Sequence, residues 1–552
     1  MRLHHIVAKM SRFAALLLLT MVMLLTVTAG ASPAAAHASL VEAVPAAGSE
    51  LRAAPERITL TFNERLENGL FYLRVYDSAK RQVTDAAAVM NPAQTAVILE
   101  LPALGQGNYL VTYHVISADG HPVEGTYLFA VGQSLSEDAG SQEMPAGMHH
   151  SHGDEPFGGT SAGDVLQFAS RILYYAALLV FTGWLLWYRR FGGTAPDETR
   201  TRLRRLAEKW QQLYLIAYIL FMWAHLPDLL GDSGAAGLVT LFTKTAAGYA
   251  WIGGLLLALL SFVMLYRSTA LDLVWAALAW LAKGMLGHAA AFEPKTQTLL
   301  LDWLHLAAAA VWAGGLVMLL LLWKTEREQA KRLLPVFSTA ALLSLLVLTV
   351  SGVLTTFIFL PDIRYILETS WGRLLLVKSA LVAAVMVTGA LIRFSYRRLR
   401  DRTAGRLLAL DAILMTATIG VVGVFTYLTP LPANEPLHWH VMGEKIHMTA
   451  QISPKVPGVN DFTVKVWLPE KLGKPKDVIL KLHSLDGPEI APIVVPVEPF
   501  DDASFEDSYD MKRHSYRVRG AYLPYAGRWR VEVRVMDSED TETVYNSEIR
   551  VY

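Results

Sequence analysis

Eight apolar stretches, at about 165–187, 213–230, 246–265, 271–291, 303–323, 334–360, 374–392 and 407–428, constrain this chain more than any other feature. Each is long enough for a helix to cross a hydrocarbon layer of roughly 30 Å. A spanning segment must satisfy its backbone polar groups internally, so the stretches predict an eight-helix transmembrane α bundle over 164–430. Lys and Arg mark its sides. Arg189, Arg190, Arg200, Arg202, Arg204, Arg205 and Lys209 fill the first loop, Lys324, Arg327, Lys331 and Arg332 the fifth, and Arg393, Arg397, Arg398, Arg400, Arg402 and Arg406 the seventh, whereas the even-numbered loops are poor in both. Basic loops stay inside, so the first span runs inward and both flanking segments lie outside the cell.

The N-terminus agrees. Arg2, Lys9 and Arg12 precede an apolar run from Ala14 to Val27 and the small-residue exit Ala34-Ala35-Ala36, the plan of a secretory signal peptide over 1–36. Residues 37–132 then alternate polar and apolar side chains in short runs punctuated by Gly, Pro, Asn and Asp, which predicts a small β-sandwich. Residues 133–163 are poor in large apolar side chains and read as a solvated linker carrying Met144, Met148, His149, His150 and His152. Alternation returns over 436–552, as in the run Phe462-Thr-Val-Lys-Val-Trp-Leu468, and predicts a second extracellular β-sandwich. The fold class is therefore a multidomain membrane protein: sandwich, helical bundle, sandwich.

The chain has no cysteine, which excludes disulfides, thiolate metal sites and thiol catalysis, and its 49 basic and 49 acidic side chains leave no global field for nucleic acid. A soft metal would have to use Met or His. Cleavage after Ala36 gives His37 a free α-amine beside its imidazole, a chelate suited to Cu(II), and Asp119-Gly-His121 adds a carboxylate and a second imidazole on a turn. Here the sequence resembles the CopC family, through His37-Ala-Ser-Leu, the Pro45–Gly48 turn, Phe62-Asn-Glu64 and Ser117-Ala-Asp-Gly-His-Pro-Val-Glu-Gly125. The resemblance implies an immunoglobulin-like Greek-key sandwich that binds Cu(II) through His37, Asp119 and His121, with Glu64 close behind the ligands. No Met-rich loop lies between Val75 and Met90, so a separate Cu(I) site is not expected in that domain.

Within the spans, His225, His288 and His305 fall near the outer ends of the second, fourth and fifth stretches. Met222 and Met285 each precede a His by three residues, which in a helix places the thioether one turn deeper on the same face. The expectation is an outer imidazole layer above a thioether layer that favours Cu(I). Met264, Met318, Met386 and Met415 read as packing, and Lys283 and Lys378 as side chains that snorkel or pair. This part resembles the CopD family, through Gly287-His-Ala289, Asp302-Trp-Leu-His305, Trp312-Ala-Gly-Gly-Leu316, Ser351-Gly352 and Trp371-Gly-Arg373 with Lys378. The C-terminal part resembles YtkA-type sandwiches, through Pro457-Gly-Val-Asn-Asp-Phe462 and Leu523-Pro-Tyr-Ala-Gly-Arg-Trp529, and the three-part order is similar to YcnJ-type copper proteins. His438, His440 and Met442 alternate just beyond the last span and form a minor candidate copper contact.

These readings imply a non-enzymatic, multi-pass protein of the cytoplasmic membrane whose partners are copper ions, lipid and other extracellular copper-binding proteins. Uptake is the expected direction. No phosphate loop or phosphorylation motif supplies an ATP engine. Two other classes stay open: a tethered copper buffer or resistance protein that transports nothing, and a haem or cupric-reductase protein using the membrane histidines.

Overall fold

The computed structural model describes residues 38–133, 162–500 and 511–552, apart from residues 39, 47–48, 63–64, 118–119, 121, 293, 361, 398–400, 433, 435, 444–445 and 487–489. The chain divides into two compact units, one dominated by helices and one by strands.

In the N-terminal sandwich, one four-stranded sheet has the order β1-β3-β6-β5, from Leu40–Val44, Arg57–Phe62, Ala96–Glu100 and Val89–Met90. The other has the order β2-β8-β7-β4, from Glu50–Leu51, Pro122–Val131, Gly107–Ile116 and Tyr72–Tyr76. Strand β3 alternates as its sequence predicts, with Ile58, Leu60 and Phe62 buried. They meet Val97 and Leu99 from β6, Leu73 and Val75 from β4, and Val111 and Val115 from β7 in one core.

The C-terminal part also has two sheets. One runs β14-β15-β11-β10-β9, from Glu498–Phe500, Met511–Leu523, Gly458–Pro469, His447–Ser453 and Leu437–Met442. The other runs β13-β12-β16-β17, from Ile493–Val495, Asp477–Ser484, Gly527–Met536 and Glu542–Val551. Phe462 and Trp529, both fully buried, anchor the core between them.

The helical unit holds α1 (Ala162–Phe191), α2 (Asp197–Leu230), α3 (Gly234–Lys244), α4 (Ala246–Met264), α5 (Thr269–Gly284), α6 (His288–Ala291), α7 (Lys295–Thr325), α8 (Arg327–Phe359), α9 (Tyr365–Glu368), α10 (Ser370–Arg397) and α11 (Asp401–Phe425). Seven of these are long and apolar enough to cross a membrane. The predicted fourth span is the exception. Helix α5 starts behind Ser268, whose side chain accepts from the Leu271 amide, and stops at Gly284 after 16 residues, about 24 Å of helix. Gly287, at φ +132°, then breaks the backbone before α6 begins. The 271–291 stretch is thus a short helix followed by a turn.

The Trp312-Ala-Gly-Gly-Leu316 motif has a packing role. A Cβ on Gly183 of α1 would lie 1.8 Å from the Ala310 carbonyl oxygen, and one on Gly314 of α7 2.3 Å from the Gly183 backbone. Glycine lets these two helices touch backbone to backbone, and close approach is the main source of helix affinity in lipid. At the Arg-rich end, Arg189 Nε meets Asp272 Oδ2 at 2.6 Å, tying α1 to the start of α5.

Candidate functional site

The N-terminal copper-ligand candidates His37, Glu64, Asp119 and His121 lie outside the described residues, as do Met144, Met148, His149, His150 and His152 of the linker. The domain's other histidine is described. His114 is fully buried, its Nδ1 donates to the Leu70 carbonyl at 3.0 Å, and it stacks on Tyr72 at 5.4 Å. It is a core residue.

The helical unit contains a cavity of about 590 Å³, and His225, His288 and His305 all line it. Three histidines far apart in sequence are therefore brought to one place. Their hydrogen bonds decide what each can do. The backbone carbonyl of Phe221 takes the Nδ1–H of His225 at 2.9 Å, which leaves Nε2 as an acceptor, and Arg171 Nη2 faces that nitrogen at 3.0 Å. A metal could use it only if the guanidinium moved away. His288 donates from Nε2 to the Leu428 carbonyl at 3.0 Å. His305 differs. The Ser351 hydroxyl gives its proton to the Val347 carbonyl at 2.7 Å, so it accepts from His305 Nδ1–H at 2.8 Å and leaves Nε2 with an available lone pair. Among the described residues, no three His, Asp or Glu side chains form a ready metal-holding group.

The predicted thioether layer is not assembled around this cavity. Met222 packs against the helical core, and Met285 is half-exposed; neither lines the cavity. For Met285 the reason is the chain break: α5 ends at Gly284, so Met285 and His288 do not share a helix and their three-residue spacing sets no common face.

Two charged residues of the spans that line the cavity, Arg171 and Asp228, carry no motif in the sequence. Of the two lysines read as snorkelling or pairing, Lys283 pairs: its Nζ lies 3.5 Å from Asp302 Oδ2 and over the Tyr175 ring at 5.4 Å. Lys378 sits over the Phe425 ring at 5.3 Å. Arg171 donates to the Thr426 carbonyl at 3.2 Å, and Gln167 donates to Asp228 at 2.5 Å. Arg171, Lys283 and Lys378 therefore share the cavity wall with Asp228 and Asp302. Three basic side chains thus stand beside the three histidines on one cavity wall. The signal was available: a charge inside a span costs roughly 3 kcal/mol on insertion scales and persists where function or pairing requires it.

On β9 the predicted alternation is present. His438, His440 and Met442 share the exposed face, and Leu437, Trp439 and Val441 turn toward the core. His440 Nδ1 bonds the Thr449 hydroxyl at 2.7 Å across the strand pair. The register also sets His447 of β10 directly opposite Met442, a neighbour that only the pairing reveals.

Seven apolar helices with charged side chains and histidines around a cavity, in a chain that also carries two strand-rich domains, define a multi-pass membrane protein. A CopC domain model matches residues 40–132, and the model for copper resistance protein D matches residues 331–425. The chain is 30% identical over 460 residues to the copper transport protein CutJ of Bacillus subtilis (strain 168), which spans 78% of this chain and 82% of that one. It is also 37% identical over 98 residues to protein YobA of Escherichia coli (strain K12), covering 17% of this chain and 79% of that one. The solved structure of CopC from Methylosinus trichosporium OB3b is 33% identical, covers 17% of this chain and 93% of its own, and superposes with a TM-score of 0.17. The chain belongs to the family of CopC–CopD fusion copper proteins.

Proposed function

We propose that this protein takes up copper, capturing Cu(II) outside the cell at His37, Asp119 and His121, with Glu64 beside them, and passing copper through the helical unit. The observation that carries the membrane half is the convergence of His225, His288 and His305 on one cavity. Among the three, His305 is the first acceptor, because its Nε2 keeps a lone pair while Ser351 fixes the ring. A negative cell interior supplies about 2.3 kcal/mol per charge per 100 mV to an entering cation, so inward movement needs no ATP. The family relationship to a copper transport protein supports transport, and the CopC match supports capture.

The test of capture is copper titration of the mature chain. Replacing His37, Asp119 or His121 by Ala is expected to weaken Cu(II) binding by more than the roughly 10–100-fold typical of changes behind the ligands. His114→Ala should leave copper affinity intact and instead lower stability by about 1–3 kcal/mol, because it strands a buried carbonyl partner. Equal copper losses at His114 would reject the ligand assignment. The test of transport is radiolabelled copper entry into oriented proteoliposomes. Retention of copper on the protein without entry would favour the buffer reading, and a haem absorption spectrum would favour the reductase reading.

A further inference from the structure

One buried acid of the helical unit has no part in the cavity chemistry above. Asp411 sits in α11, ten residues from its start and about 15 Å along the helix, and is 3% exposed. Its polar neighbours are neutral. The Thr388 hydroxyl of α10 approaches at 3.5 Å but already donates to the Val385 carbonyl at 2.9 Å, so the contact is weak. The other neighbour is the Trp312 side chain of α7.

No ion pair reaches it among the described residues. On α7 the nearest charged or titratable groups are His305, seven positions before Trp312, and Lys324, twelve after it, at about 10 and 18 Å of helix. On α10 they are Lys378, ten residues before Thr388, and the exposed Arg393, five after it. Helix α1, which also packs on α11, brings Arg171 and Tyr175 to Thr426, fifteen residues along, and its Arg189 is paired with Asp272. On α11 itself Arg406 is exposed.

A carboxylate held in a bilayer by one weak hydroxyl contact and an indole costs several kcal/mol. The group must therefore carry either a proton or a bound cation. Its position suggests which cation. Phe425, Val422, Ile419 and Thr418 of α11 line the cavity, and Met415 and Asp411, which lie beyond its wall, follow them at three- and four-residue steps along the same helix. Met415 is buried, and its thioether is a soft donor one turn from the carboxyl. Trp312, which lines the cavity, also neighbours Asp411.

We propose that Asp411, with Met415 one turn away, is an exchange site where a monovalent soft cation coming from the cavity displaces the carboxyl proton. The balance is one for one: the O–H bond breaks, the proton leaves to solvent, and the cation occupies the carboxylate, so the buried charge stays zero. This rests on the reading that copper passes through the helical unit.

The full-length protein in detergent, titrated with Ag(I) as a redox-inert soft monovalent ion, tests the exchange without transport. The infrared carbonyl stretch of a protonated carboxyl is expected to vanish as Ag(I) binds, with proton release to a weakly buffered medium. Asp411→Asn should lack both signals, and Asp411→Glu, which keeps the carboxyl and covers the case of a poorly folded Asn variant, should retain both with a shifted band. A band that survives Ag(I), is absent from the parent, or is unchanged in Asp411→Asn overturns the proposal. Proteoliposome uptake separates the two ideas. If the parent imports no copper, the uptake reading fails while the infrared result still judges the exchange. If Asp411→Asn imports copper at the parental rate and pH dependence, the exchange fails and uptake stands.

Discussion

The histidines of the helical cavity and those of strand β9 show opposite ways of presenting an imidazole. On β9, His438 and His440 project from an edge strand, and His440 bonds the Thr449 hydroxyl across the strand pair. In the cavity, Arg171 covers one nitrogen of His225, the Leu428 carbonyl holds one of His288, and Ser351 orients His305. A helix-borne imidazole is thus tuned by groups distant in sequence, whereas a strand-borne one is set by alternation and register. Residue type alone does not make a ligand; the lone pair left over does.

The sharpest break of this comparison is at His305. If lone-pair availability decides entry, His305→Ala should reduce copper accumulation to the level of cells lacking the protein, while His225→Ala, whose Nε2 is already covered by Arg171, should lose far less. Equal losses at matched membrane levels would show that the hydrogen-bond pattern does not rank these residues.

The cavity's ion pair offers the next largest effect. Lys283 and Asp302 have side chains 12% and 23% exposed, so removing one partner leaves a poorly solvated charge. Lys283→Met or Asp302→Asn is expected to cost about 3 kcal/mol of stability, and the double substitution to recover most of it. Thermal unfolding in detergent measures the cycle, and additive losses would mean that the pair does not act as a unit.

A smaller effect is expected at Arg171. Replacing it with Met should uncover His225 Nε2 and raise the number of imidazoles available to a soft ion, seen as added Ag(I) binding by the full chain. No gain in binding would indicate that His225 is held for packing, consistent with its ring lying 4.4 Å from Phe221.

How much of this was legible depended on range. Strand β3 could be read because burial alternates within six residues, and the spans because apolar composition persists over a helix length. The fourth span could not, since an apolar run does not announce the stop at Gly284 or the turn at Gly287. The common depth of His225, His288 and His305 followed from topology, but the Arg171, Leu428 and Ser351 contacts that distinguish them are 54, 140 and 46 residues away. Asp411 carried a local signal, a lone acid in an apolar run, whose meaning came only from the neutrality of Thr388 and Trp312.

The smallest effect concerns the β9 face. His438, His440 and Met442 alternate on its exposed side, and His447 stands opposite Met442 on β10, where facing side chains lie about 5 Å apart. Two or three imidazoles and a thioether on one surface suit weak copper binding. Desolvation pushes the His438 imidazole below its ordinary pKa, with the neighbouring His440 and Lys465 adding to the shift. A metal needs the neutral ring, so the sign is definite: His438 stays ligand-competent as pH falls through the usual imidazole range and loses that competence only below its own lowered value. In a His37→Ala chain, which weakens the N-terminal site, residual copper binding should therefore persist into mildly acidic solution. It should fall modestly in His438→Ala or His440→Ala, and also in His447→Ala if the cross-strand pair contributes. Titrations that show no residual binding, or binding indifferent to all three substitutions, would leave this face as an edge strand that merely carries surface imidazoles.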